Sequence, residues 1–289
     1  MSNFLNQYFD PDVAVLPKDL VIAPGAAACL DALLYNICDT TEGVLIPDPY
    51  WNGNDIFLRI RSQATLIPVT VSTFSDSFTT ALLDALDTAY STSSVPVKAL
   101  LIANPHNPLG RCYTPSLLVS LQFCEKHDIH FISDEGVTIT QHNSSLRDAL
   151  ALASHMNLST MSTVYATSLL RSARLPGLLS PKSQRLSNSY TQMIALFKKY
   201  DIKYFPCNAG LFILARIVPE GTWEKELGMV DSFKRNGVLI GPGKRYHVLE
   251  PAWTRISFAM EPEVLNLAIE RMDKVFKLTS EQEECRNRN

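Results

Sequence analysis

Lys98-Ala99-Leu100-Leu101-Ile102-Ala103, followed at once by Asn104-Pro105-His106-Asn107-Pro108-Leu109-Gly110, is the stretch that decides the fold. From Ala99 to Ala103 every residue is apolar, as in a strand covered on both faces within a parallel sheet. The second half then begins at the carboxyl end of that strand, where open α/β sheets bind their ligands. Two prolines stiffen this loop and present Asn107, whose amide can donate to a phenolate or carbonyl oxygen. Read alone, the loop also fits an ordinary Asn-Pro turn.

Working outward, short branched runs alternate with helical patterns, the signature of α/β architecture with a largely parallel sheet. Upstream, the pattern predicts a helix over 26–39, a strand over 44–47, a helix over 55–62, a strand over 65–71 and a helix over 82–90. Downstream, Thr114 as N-cap and Pro115 at the first helical position predict a helix to His127, followed by a strand over 129–133. The pattern then weakens, recovers at Thr163 to Thr167 and breaks again through Ser180-Pro181-Lys182-Ser183, the expected boundary. Helices over 185–200, 225–236 and 263–276, with strands over 210–217 and 254–260, form a smaller α+β unit. The expected organisation is a large domain over 1–180, a small C-terminal domain over 185–279 and a polar, frayed tail over 280–289.

Composition narrows the function classes. With Lys+Arg 26 against Asp+Glu 29 the net charge is -3, too little positive field for general nucleic-acid binding. Apolar residues at 46% suit a globular core. No apolar stretch approaches the roughly 20 residues a bilayer span needs, and Met1 to Asp10 does not read as a secretory signal. The six cysteines show no metal-ligand spacing, so no metal is expected and a reducing, cytoplasmic location is.

Further candidates flank the central strand. Asp134-Glu135 closes the next strand, where an acid can hold a ring nitrogen protonated or merely cap a turn. Pro24-Gly25-Ala26-Ala27 opens a helix, whose free N–H groups and dipole favour a phosphate. Pro49-Tyr50-Trp51-Asn52-Gly53 places aromatic rings in a loop after another strand. A nucleotide-binding α/β protein is disfavoured, because no Gly-x-Gly-x-x-Gly turn opens a helix.

In this order, and together with Cys207-Asn208-Ala209-Gly210-Leu211-Phe212 and Glu250-Pro251-Ala252-Trp253-Thr254-Arg255, the segments resemble the class I/II aminotransferases. These are the fold type I pyridoxal-phosphate enzymes, and the branch resembled is that of aminocyclopropane-carboxylate synthase. The resemblance covers most of 11–276. It implies an incomplete fold type I large domain with a mostly parallel sheet and a small α+β domain. It also implies pyridoxal 5'-phosphate as cofactor, an amino acid or keto acid as substrate, transamination or related elimination chemistry, and a homodimer. On this resemblance Gly25, Ala26 and Ala27 cradle the phosphate, Trp51 stacks on the pyridine ring and Asn107 bonds its phenolic oxygen. Asp134 pairs with the pyridine nitrogen, Arg255 clamps the substrate carboxylate and Asn208 lines the same pocket.

The chain departs from that pattern at the centre of the chemistry. The family's lysine, which links covalently to the cofactor and moves the proton, stands on a Ser-x-Ser-Lys segment. Here the segment reads Val164-Tyr165-Ala166-Thr167-Ser168-Leu169-Leu170-Arg171. Counting forward puts Leu169 at the lysine position; counting back from Leu175-Pro176-Gly177 puts Arg171 there. Neither forms an imine. The family's tyrosine after the aspartate is Val137, its phosphate-binding hydroxyl is Ala27 and its phosphate-neutralising arginine is Leu179. The passage from Gly177 to Arg185 is short, and the amino terminus lacks the arm that crosses to the partner. Lys182 in the shortened connection and Lys244 in the Gly241-Pro242-Gly243 loop are the two candidate substitute amines, each of which would have to reach the aldehyde as a neutral amine. The expectation is an impaired enzyme, or an inactive homologue serving as the partner of an intact relative.

Overall fold

The computed structural model describes residues 1–120, 122–135, 144–155, 159–218 and 221–287. Val137, and the Ser-rich patch that begins after Gln141, lie partly or wholly outside them. In chain order the helices are α1 (Ser2–Tyr8), α2 (Ala26–Ile37), α3 (Asn54–Phe57), α4 (Ala81–Ser91), α5 (Pro115–Ser120), α6 (Phe123–Lys126), α7 (Ser144–His155), α8 (Thr160–Leu170), α9 (Leu175–Lys199), α10 (Trp223–Arg235) and α11 (Pro262–Asn287). The strands are β1 (Gly43–Pro47), β2 (Thr65–Val69), β3 (Val97–Ala103), β4 (His130–Asp134), β5 (Lys203–Tyr204), β6 (Phe212–Arg216), β7 (Gly241–Pro242) and β8 (Trp253–Ser257). None of the described helices is long and apolar enough to cross a membrane.

The chain forms two compact units, the first comprising 1–47, 53–104 and 114–179. Its sheet is all parallel, with strand order β2-β1-β3-β4. Val44, Leu45, Leu100, Leu101 and Ile102 are buried because helices cover the sheet, as the unbroken apolar runs require. Thr114 Oγ1 accepts the Leu117 N–H at 3.3 Å and so caps α5. The single helix expected to His127 is instead two short ones, α5 and α6.

The second unit comprises 48–52, 105–113 and 180–289. Its sheet is antiparallel, ordered β5-β6-β8-β7. Phe197, Ile213, Phe233, Ile256, Met272 and Phe276 form one core between the sheet and α9, α10 and α11. Phe233 meets Phe276 edge to face, ring centroids 5.2 Å apart.

Thr163–Thr167, where the sequence pattern recovers, lies in α8, which Ser159 caps by accepting the Ser162 N–H through its Oγ. At Ser180-Pro181-Lys182-Ser183 the chain does not break, since α9 runs through it, yet the division between the two units falls between Leu179 and Ser180, at the expected boundary. All of 176–185 is exposed, so water can take up the carbonyl that Pro181 leaves without a donor. Finally, α11 continues past Ser280 to Asn287, so the polar tail is helical over that length.

Candidate functional site

Along β8 the side chains alternate, with Thr254 and Ile256 buried while Trp253, Arg255 and Ser257 take the other face. Arg255 therefore sits beside the core rather than in it, opposite Leu214 of β6 and Gly241 of β7. Its Nη1 donates to Asn107 Oδ1 at 3.0 Å. Its guanidinium carbon lies 3.9 Å from the ring centre of Phe212 and 4.4 Å from that of Tyr246. Burial pulls the guanidinium below its ordinary range, and Tyr246 opposes that through its charge and hydrogen bond. Burial in turn raises the Tyr246 phenol. Arginine stays charged throughout, and no carboxylate among the described residues forms an ion pair with it.

Asn107 reaches this place because its loop is pinned within the same unit. Gly110 takes φ +66, and a Cβ there would lie 2.6 Å from Cys207 Cβ and 2.7 Å from the Phe212 carbonyl, so only glycine fits. Its carbonyl accepts the N–H groups of Asn208 (2.9 Å) and Ala209 (3.1 Å). Asn208 Oδ1 accepts the Cys112 N–H at 3.2 Å, so this amide oxygen ties two loops together. Deeper in the loop His106 is fully buried, and desolvation holds its imidazole down at about 3. Trp51 follows Tyr50, whose N–H donates to the Tyr246 carbonyl (2.9 Å) and whose ring stacks on His247 at 4.1 Å.

The remaining expected residues belong to the first unit. Gly25 is the N-cap of α2 with φ +100, no side chain caps that helix, and a Cβ at Gly25 would meet open space. The first-turn N–H groups at Ala26 and Ala27 thus suit an anion. Asp134 ends β4 in register with Ala103, and its carbonyl accepts the Asn104 N–H at 3.0 Å. Glu135 accepts from Asn104 Nδ2 (3.2 Å) and Ser133 Oγ (2.8 Å). Leu169 lies in the last turn of α8, and Arg171 is its exposed C-cap. Lys182 is exposed on α9, and Lys244 Nζ lies 5.8 Å from the Trp223 ring centre.

The structure thus joins Asn107 to Arg255 directly and Asn208 to the Asn107 loop. It adds Tyr246 and Phe212, to which the sequence reading gave no role. Gly241-Pro242-Gly243 was the available signal for Tyr246, since a Cβ at Gly241 would lie 2.6 Å from the Tyr246 hydroxyl.

Comparison with known proteins adds a second line of observation. The family profile described as "Aminotransferase class I and II" matches residues 3–136 and 136–272. "Probable aminotransferase aclI" of Aspergillus oryzae is 36% identical over 332 positions, covering 95% of this chain and 79% of that protein. Those 332 positions outnumber the 289 residues of the whole chain, so the match carries internal gaps in this chain. "1-Aminocyclopropane-1-carboxylate synthase-like protein 1" of Bos taurus is 25% identical, covering 96% of this chain and 67% of its own length. Among solved structures, the aromatic aminotransferase from Pyrococcus horikoshii OT3 superposes with a TM-score of 0.78 at 19% identity, covering 96% of this chain and 84% of that one. That likeness concerns the fold.

Proposed function

Because the chain belongs to the class I and II aminotransferase family, we propose that it binds the carboxylate of an amino acid or 2-oxo acid at Arg255 and does not by itself complete transamination. One observation carries the reading: Arg255 is a half-buried cation, oriented by Asn107 and two rings, with no carboxylate partner among the described residues. Desolvation by Phe212 and Tyr246 strengthens any ion pair made there, and the planar fork of arginine suits a carboxylate held through two hydrogen bonds. Asn107 Oδ1 takes one guanidinium N–H and fixes the plane of the others.

The family is pyridoxal-phosphate dependent, and the residues present fit part of that cofactor. The uncapped start of α2 with its open Gly25 fits the phosphate, and Asp134 supplies an acid at a strand end for the ring nitrogen. Bound pyridoxal phosphate supplies an electron sink for a substrate carbanion. Covalent attachment is another matter, because Leu169 and Arg171 offer no amine that deprotonates. At Ala27 and Leu179 the chain lacks the hydroxyl and the arginine with which the family holds the phosphate.

A second reading, an inactive partner of an intact relative or of a second copy, is favoured by α8. None of its described side chains is buried, and Met161, Val164 and Tyr165 face solvent.

The carboxylate reading is tested by calorimetric titration of the full chain with pyruvate, 2-oxoglutarate and phenylpyruvate. Arg255→Ala should weaken whichever acid binds by about 2–5 kcal/mol, as for a desolvated charge pair. Equal affinity in the variant, or no acid binding to the parent chain, would remove the assignment.

A further inference from the structure

We propose that Glu226 is a positioning residue for Arg255: its carboxylate fastens both ends of the Gly243–Ala252 segment and so holds Tyr246 against the guanidinium. The proposal rests on the carboxylate-binding reading of Arg255. Glu226 stands in the first turn of α10, where a glutamate ordinarily faces water and the helix dipole alone favours it. Here it is completely buried. A buried carboxylate needs hydrogen-bond donors to offset its lost hydration, and these come from a single piece of chain. Oε1 accepts the Lys244 N–H at 3.3 Å and Oε2 accepts the Ala252 N–H at 2.8 Å.

The geometry of the segment shows what the fastening achieves. Ala252 adopts φ +81, a left-handed conformation that residues with a Cβ rarely take and that must be held by its surroundings. It is held there from two sides, by Glu226 and by the Ile217 N–H on its carbonyl at 3.0 Å. Gly221 makes the approach possible, because a Cβ at that position would run into the Ala252 side chain. Between the two fastened ends the chain forms a 3₁₀ turn, Gly243–Tyr246. That turn delivers the Tyr246 ring to 4.4 Å from the Arg255 guanidinium carbon. Ala252 immediately precedes β8, so the same carboxylate also sets where the strand bearing Arg255 begins. Glu226 touches neither Arg255 nor any site for a ligand carboxylate; it acts through the segment.

Glu226→Gln keeps the shape but turns an NH2 group toward a backbone donor, undoing one of the two ends. The readout is the rate at which phenylglyoxal modifies individual arginines of the full chain, followed by peptide mass spectrometry. Arg216 on the adjoining strand β6 serves as the control. The expected result is about a tenfold faster modification of Arg255 and a similar weakening of 2-oxoglutarate binding, the size of one lost hydrogen bond to a charged group. Arg216 should change less than twofold. Equal acceleration at both arginines would reveal general loosening and overturn the positioning role, and so would an unchanged Arg255. Should the Gln variant fail to fold, Glu226→Asp retains the charge but reaches only one end, and selective acceleration at Arg255 is again required. The two readings fail separately. If Arg255→Ala abolishes 2-oxoglutarate binding while Glu226→Gln changes nothing, only the positioning role falls. If Arg255→Ala leaves binding intact, the carboxylate reading falls and the phenylglyoxal rates still decide the role of Glu226.

Discussion

Strand β8 and helix α8 carry the two positions on which aminotransferase chemistry turns, and they are held in opposite ways. In β8 every second residue is buried, and Arg255 between them touches Asn107, Phe212 and Tyr246. In α8 no described side chain is buried, and Leu169, one of the two positions aligned with the missing lysine, lies in its last turn. Packing thus fixes the surroundings of Arg255 residue by residue, while Leu169 and Arg171 have no amine that forms an imine and sit at the end of a helix with no buried side chain among the described residues. This contrast is what the proposed reading, recognition of a carboxylate without covalent attachment of a cofactor, calls for.

The largest expected difference between the two regions is in stability. Phe233→Ala, in the core beneath β6 and β8, should destabilise the second unit by about 3–5 kcal/mol. Met161→Ala on α8 should change stability by less than about 0.5 kcal/mol, as at an exposed site. Urea unfolding of both variants checks the pair, and a comparable loss at Met161 would mean that α8 is packed after all.

Acid provides a second way to probe the well-held region. His106 is buried as the neutral imidazole with its pKa held at about 3, against an ordinary value of 6.5. As pH falls through 6.5 the unfolded chain takes up a proton that the folded chain refuses until about pH 3. Stability is therefore lost on acidification across that window, by up to about 1.4 kcal/mol per pH unit from this group. His106→Gln should flatten that slope in a pH series of urea midpoints. An identical slope would show that His106 does not contribute to it.

Much of this was readable from the residues, for identifiable reasons. The runs at 44–47 and 98–103 announced parallel strands because burial on both faces leaves no polar alternation to misread. Asn107 and Arg255 were legible through their motifs. Glu226 was not, since a glutamate in a first helical turn reads as solvated, and only the tertiary approach of Lys244 and Ala252 reveals otherwise. Nor was α8 assigned as a helix, because its hydrophobic residues follow no helical stripe and only the Ser159 cap marks its start. Pro181 misled for a related reason, because a proline can remain in a helix whose turn is open to water.

The most direct test of recognition without attachment is to incubate the full chain with pyridoxal phosphate, reduce with borohydride and weigh and map the product. The account predicts no stoichiometric adduct on any single lysine, with at most scattered, substoichiometric labelling of exposed amines such as Lys182. A single adduct at one per chain on Lys182 or Lys244, lost when that residue is changed to Ala, would contradict it and show that the attachment had moved rather than disappeared.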